Sequence, residues 1–435
     1  MPRGFLRAMP RDYAWACPDG GSPGPCPAYI SPVVRHLYVH IPFCLRRCSY
    51  CDFSIAVRKQ VPGSEYVHAV LRELDLVRTS PGWANPGAQP RGPKASGTHA
   101  VQPRGPEATA LQTLYLGGGT PSLLPAPDLT RLLTSLFDAS GSTSSLDDVE
   151  VTLEANPEDV TDAVVRSWRS AGVNRISLGA QSFDDRVLKW MHRSHDAARI
   201  GDAVRTLRAA GIENISLDLI FALPEELERD WNRDLEMAIS LLPSHISLYG
   251  LTVEPRTPLD RWISRGATKL PADDGYAEEY LAAHRRLNAE GYQFYEVSNA
   301  ARDGHRSRHN SAYWSGRPYV GLGPAAHSFD GRARRWNIAA WEAYRRAIAE
   351  GRSATESEET LTEDQQELER MYLGLRTVEG LPLAALRRLP PSSAAQWLER
   401  GWVVEDQGSL RCTPEGWLRL DALVAKLFAA KELAS

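Results

Sequence analysis

Cysteine is scarce in this chain, six residues in 435, and too unevenly spread to make a disulfide scaffold. Neither sign of charge dominates. Lys and Arg number 50 against 54 Asp and Glu, a formal net charge of −4, so nucleic acid is not expected as a partner. No apolar run approaches the length needed to cross a bilayer, so no membrane span is expected. Residues 1–34 are rich in proline and glycine and lack the apolar core of a signal peptide. A cytoplasmic protein is therefore expected. Hydrophobic residues at 43% and charged residues at 24% are the proportions of a soluble globular protein. The length exceeds what one small core fills, which suggests two domains and an irregular N-terminal extension.

Three of the cysteines stand together. Cys44, Cys48 and Cys51 have C-x3-C-x2-C spacing directly after Leu37 to Ile41, an apolar run that reads as a strand. The thiols then lie on the loop leaving its carboxyl end. Three thiolates leave one iron of a four-iron, four-sulfide cubane with an open position. Cys17, Cys26 and Cys412 are not spaced to fill it. A zinc site completed by His36 or His40 is the alternative that the spacing allows.

Ser64 to Thr79 has apolar positions at helical spacing. Ser80 to Thr109 loses periodicity and holds two copies of Gln-Pro-Arg-Gly-Pro, as a surface insertion would. Strand candidates follow at Thr113 to Leu116, Val149 to Leu153, Arg175 to Leu178, Asn214 to Leu219 and Ser244 to Tyr249, separated by amphipathic helices. Three of them share an Ile-Ser-Leu core. The alternation predicts an α/β fold with a parallel sheet, arranged as an open six-unit (βα)6 barrel of TIM-like type. Ligands of such sheets bind beyond the carboxyl ends of the strands. There the sequence places Gly117-Gly118-Gly119-Thr120-Pro121, Glu154, Gln181, Asp218, Thr252 and Glu254. Glycines let backbone N–H groups approach a ligand carboxylate, although a tight strand-to-helix turn would read the same. The run lacks the Gly-Lys-Ser/Thr ending of a phosphate loop.

Asp273 to Glu290 reads as a helix and Tyr292 to Val297 as a strand. Ser298 to Trp314 is dense in His, Arg and aromatic residues, and Gly321 to Phe329 is a second small-residue loop. Imidazole, guanidinium and aromatic rings together suit a porphyrin, with His305, His309 and His327 as candidate haem ligands. Alternatively, His309 and Asn310 are a satisfied buried pair. The last segment reads as helices followed by a ribbon, Trp402 to Glu405 and Leu410 to Thr413, in a small winged-helix-like α+β domain with no basic stripe.

The cysteine triad followed by Gly117 to Pro121 resembles the radical S-adenosylmethionine (SAM) superfamily, and specifically its HemN-like branch. The resemblance implies that Cys44, Cys48 and Cys51 hold a 4Fe–4S cluster whose open site is filled by SAM. It implies SAM contacts at Tyr38, Tyr50, Gly118, Gly119, Thr120, Glu154, Gln181, Arg193 and Asp218. A surface helix charge for Arg193 and a turn role for Asp218 are the plainer alternatives. It also implies four parts: an extension over 1–34, a barrel over 35–260 with its insertion at 80–110, a covering region over 261–350, and a HemN-type C-terminal domain over 351–435. Within the branch, coproporphyrinogen III oxidases carry a further cysteine two positions after the third, where this chain has Phe53. His309-Asn310-Ser311-Ala312-Tyr313-Trp314 matches the H-N-x-x-Y-W signature of the haem chaperones instead. The implied function is binding haem and passing it to an acceptor protein, of which a membrane-associated respiratory protein is one option. A homodimer stays open. So does a radical methyltransferase, since His327 and Thr252 match positions near a second SAM in the branch.

Overall fold

The computed structural model describes residues 34–79, 111–140, 148–386 and 391–425. Cys17, Cys26 and both Gln-Pro-Arg-Gly-Pro copies lie outside them. β1 (His36–Ile41) opens the barrel, and the cysteine loop after it contains two short strands, β2 (Phe43–Cys44) and β3 (Ala56–Val57), paired with each other. Next come β4 (Thr113–Gly118), β5 (Glu150–Ala155), β6 (Arg175–Gln181), β7 (Asn214–Phe221) and β8 (His245–Gly250). With β1 these are six parallel strands in chain order, each joined to the next by helix. The expected open six-unit barrel is the fold.

Both edges are extended. β9 (Gln293–Glu296) and β10 (Asn299–Ala301) add antiparallel strands beyond β8, and β11 (Val320–Leu322) returns parallel to β1. Part of the expected small-residue loop is thus strand. A second sheet of β12 (His327–Phe329), β13 (Ala333–Asn337) and β14 (Thr355–Thr360) was not expected. In the C-terminal region the ribbon has three strands rather than two: β15 (Leu381–Pro382), β16 (Val403–Asp406) and β17 (Ser409–Cys412), ordered β15-β17-β16. The helix Glu363–Arg376 precedes them, its start fixed by a capping box of Thr362 and Gln365. Among the described residues, no helix is long and apolar enough to cross a membrane.

A period of two in the strands explains both core and site. Leu37, Val39 and Ile41 of β1, Leu114 and Leu116 of β4, Ile176 and Leu178 of β6, and Ile246 and Leu248 of β8 are all buried in the main hydrophobic cluster. They pack against the helices, and burying each side chain contributes about 1.5–3 kcal/mol. The alternate positions are polar: His36, Tyr38 and His40, then Thr113 and Tyr115, Thr152 and Glu154, Ser216 and Asp218. Their hydrogen bonds link neighbouring strands on the lumen face. Ser177 Oγ donates to both oxygens of Asp218 at 3.0 and 2.9 Å, and Thr113 Oγ1 lies 2.9 Å from His36 Nδ1.

Candidate functional site

The cysteine loop is fixed at both ends. Ala56 N–H donates to Pro42 O at 2.8 Å and Arg58 N–H to Cys44 O at 2.9 Å, which closes the loop on itself. Ser49 N–H donates to Met191 O, and Leu259 N–H donates to Ser49 O, which seats it on its neighbours. Cys44 is buried, Cys48 and Cys51 are half-buried, and all three are free thiols. Thr120 Oγ1 donates to Cys44 Sγ at 3.4 Å and Arg193 Nη1 to Cys48 Sγ at 3.6 Å. Burial pushes the Cys44 thiol up to about 11 and the Cys51 thiol up to about 12. A group that binds here as a thiolate complex must therefore supply positive charge of its own.

The zinc alternative does not fit. His36 Nδ1 is engaged with Thr113, while His40 lies 3.0 Å from Tyr38 Oη through Nδ1 and 3.2 Å from Ser54 O through Nε2. Among the described residues no three His, Cys, Asp or Glu side chains converge closely enough for a single ion. The three thiols line one cavity.

The glycine run is stitched to that rim. Gly119 N–H donates to Ile41 O and Thr120 N–H to Phe43 O, each at 2.8 Å. Gly118 has φ +119°, and a Cβ there would come within 2.8 Å of the His40 ring. At Gly119 it would meet Phe43 O at 2.7 Å. Only glycine allows the backbone to pass this close.

Two half-buried carboxylates face the lumen beneath it. Glu154 accepts from Tyr115 Oη at 2.9 Å and from the Gly118 N–H at 3.0 Å, and burial raises its carboxyl to about 7. Asp218 is likewise raised by burial, against the pull of Ser177. Arg193 Nη2 donates to Asn156 Oδ1 at 2.5 Å and to Gly179 O at 2.9 Å, so it is a fixed, half-buried cation rather than a surface helix charge. Its Nε is buried without a partner. Gln181 sits at φ +66° beside a register shift in β6, and so turns out of the sheet at its carboxyl end. This set of thiols, half-buried acids and one half-buried cation can receive a zwitterionic, positively charged ligand beside a metal cluster.

One cavity of about 930 Å³ joins these groups. Every residue that the sequence assigns to the cluster or to SAM lines it, from Tyr38 to Asp218. Among the haem candidates only His327 does, with its ring stacked on Trp336 at 6.1 Å. His305 follows β10, whose antiparallel pairing with β8 carries the chain to the amino end of the barrel. His309 is buried with both nitrogens engaged, Nδ1 with Thr113 at 2.6 Å and Nε2 with Tyr313 Oη at 2.8 Å. It is a satisfied core histidine, but its partners are those two residues and not Asn310. Asn310, Tyr313 and Trp314 of the same helix line the cavity. Sequence reasoning gave no role to Tyr115 and Asn156, which hold Glu154 and Arg193, and considered His40 only for zinc. Asn156 stands in the strand-end run, and that position was the available signal.

Comparisons with known proteins agree with this geometry. Residues 101–238 match the Radical SAM superfamily and residues 361–419 the HemN C-terminal domain. The heme chaperone HemW of Mycobacterium tuberculosis is 34% identical over 394 residues, covering 90% of this chain and 94% of that protein. The heme chaperone HemW of Synechocystis is 33% identical, covering 93% and 98%. The structure of the Escherichia coli coproporphyrinogen III oxidase HemN, a radical SAM enzyme, superposes with a TM-score of 0.72 over 92% of this chain and 91% of that one. Its 21% identity makes this a likeness of fold. From barrel to C-terminal region, this chain belongs to the HemW family of the radical SAM superfamily.

Proposed function

We propose that this chain binds haem and hands it to an acceptor protein, with Cys44, Cys48 and Cys51 holding a 4Fe–4S cluster and the adjoining strand ends holding SAM. The observation that carries the reading is the shared cavity. At about 930 Å³ it lies at the top of the range of small-molecule sites, roomy enough for a large flat ligand beside SAM. Its cysteine side is polar and charged. Trp314, Tyr319, Tyr372 and Trp417 also line the cavity, as does His327 of β12. These aromatic rings suit a macrocycle, and His327 is the residue that would hold its iron.

On the cysteine side, the Gly118–Gly119 backbone and Gln181 would meet the methionine end of SAM. Glu154 and Asp218 would take its hydroxyls or its amino group. Arg193 holds Asn156 and the rim together and faces Cys48. A cluster bound on the three thiols supplies one electron to the sulfonium of SAM. The location is proposed to be the cytoplasm.

Haem titration of anaerobically reconstituted protein tests the reading. A Soret shift saturating at a fixed stoichiometry is expected, and its absence would overturn haem binding. Coproporphyrinogen III given with reductant is expected to yield no protoporphyrinogen. Turnover there would move the chain to the oxidase side of the fold.

A further inference from the structure

Arg376 is the last residue of the helix Glu363–Arg376 and lines the cavity. Its guanidinium lies over the Trp314 ring, 4.1 Å from the centroid, and Trp314 lines the same cavity. Nη2 stands 2.9 Å from Oε2 of Glu296, a fully buried residue of β9. Glu296 in turn accepts from the Ser298 N–H at 3.0 Å and from Asn299 Nδ2. The Arg376 side chain is 14% exposed, and its Nε is buried without a hydrogen-bond partner. A guanidinium has five N–H donors, and a carboxylate takes two of them at once. Arg419 lines the cavity as well, exposed, with its guanidinium 5.2 Å from the Trp402 centroid. Its Nη1 donates at 3.0 Å to a backbone carbonyl, that of Glu415, and not to an acid. The bond from Trp417 Nε1 to Leu375 O brings together the two segments that carry these arginines. The other arginines of the lining are placed elsewhere: Arg46 is on the cysteine loop, and Arg193 is committed to Asn156 and Gly179.

We propose that Arg376, with Arg419 beside it, receives the carboxylates of the macrocycle, so that the cavity selects a porphyrin dicarboxylate over an apolar ring of the same shape. The inference rests on the haem reading above and supplies its polar half. Aromatic side chains account for the ring, but two carboxylates drawn out of water need partners of their own. Arg376 is the preorganised one, because Glu296 and Trp314 fix its plane before any ligand arrives. Arg419 is exposed on a long, mobile side chain, and Asp421 of the same segment also lines the cavity and opposes a second negative charge. Arg376 therefore carries the larger share of the recognition.

The test titrates reconstituted full-length protein with haem and with haem dimethyl ester in the same solvent, following the Soret band. Wild type is expected to bind the acid at least about tenfold more tightly than the ester. In the Arg376→Met, Glu296→Gln double variant, which removes the fork together with the acid it neutralises, that ratio is expected to fall to about twofold or less. Arg376→Lys keeps the charge without the fork and is expected to lie between. A ratio near one in wild type would overturn the proposal. So would a ratio that both variants leave unchanged, since a merely structural role lowers the two affinities together. SAM affinity is expected to stay within about twofold of wild type in both variants. A parallel loss of SAM binding would assign the guanidinium to the carboxylate of SAM and overturn the proposal. Failure of the haem reading would look different, with no Soret change for either porphyrin, and would take this proposal with it.

Discussion

Glu154 stores a proton that a cationic ligand must displace. Burial holds its carboxyl at about 7, and the nearby charge of Asp218 adds to the effect. Below that pH the acid is neutral and contributes only hydrogen bonds to SAM; above it the carboxylate adds charge attraction. SAM affinity is expected to rise by about tenfold between pH 6 and pH 8, and Glu154→Gln to flatten the rise. Calorimetric titration across that range checks both, and a slope that survives the substitution would assign the proton elsewhere. At Gly118, an alanine would have to hold φ +119° against the His40 ring, at a cost of about 1–3 kcal/mol. Gly118→Ala is expected to weaken SAM binding more than tenfold while leaving iron uptake in place, as measured by iron content and titration. That the three cysteines and the strand-end residues share one cavity was legible because spacing and position along a strand are local properties. The engagement of His309 was not, because its partner Thr113 lies 196 residues away.

Helices and strands that follow one another at regular spacing were also legible, since each buries an apolar stripe. The strands that escaped are short or polar on every face. β14 reads Thr-Glu-Ser-Glu-Glu-Thr with no buried position, and only its pairing with β13 makes it a strand. Among the ties between that small sheet and the barrel is a buried carboxylate in the helix Gly63–Thr79. Glu73 accepts from the Gly323 N–H at 2.7 Å, Asn337 Nδ2 at 2.5 Å and Tyr344 Oη at 2.6 Å. Burial lifts it from 4.5 to about 7. A carboxyl raised by folding favours the native state while protonated, and loses that contribution as pH climbs from about 4.5 through about 7. Glu73→Ala is expected to cost about 2–4 kcal/mol at pH 5, with most of the difference gone by pH 8, in urea unfolding followed by circular dichroism.

Across the whole molecule, the cavity is finished by a distant part of the chain. Trp417 donates through Nε1 to Leu375 O at 3.0 Å and lines the cavity, so the C-terminal region contributes to its wall. Trp417→Ala is expected to speed haem loss to apomyoglobin severalfold, with SAM affinity changed by less than about twofold. A parallel loss of SAM binding would mean that the two halves of the cavity fold as one. The alternation along the barrel strands separates two duties. Outward rows knit the scaffold to its helices, while inward rows meet whatever enters the lumen. Selection can therefore rewrite the chemistry of the interior position by position without renegotiating the core, which gives the architecture room to diversify between catalysis and cargo handling.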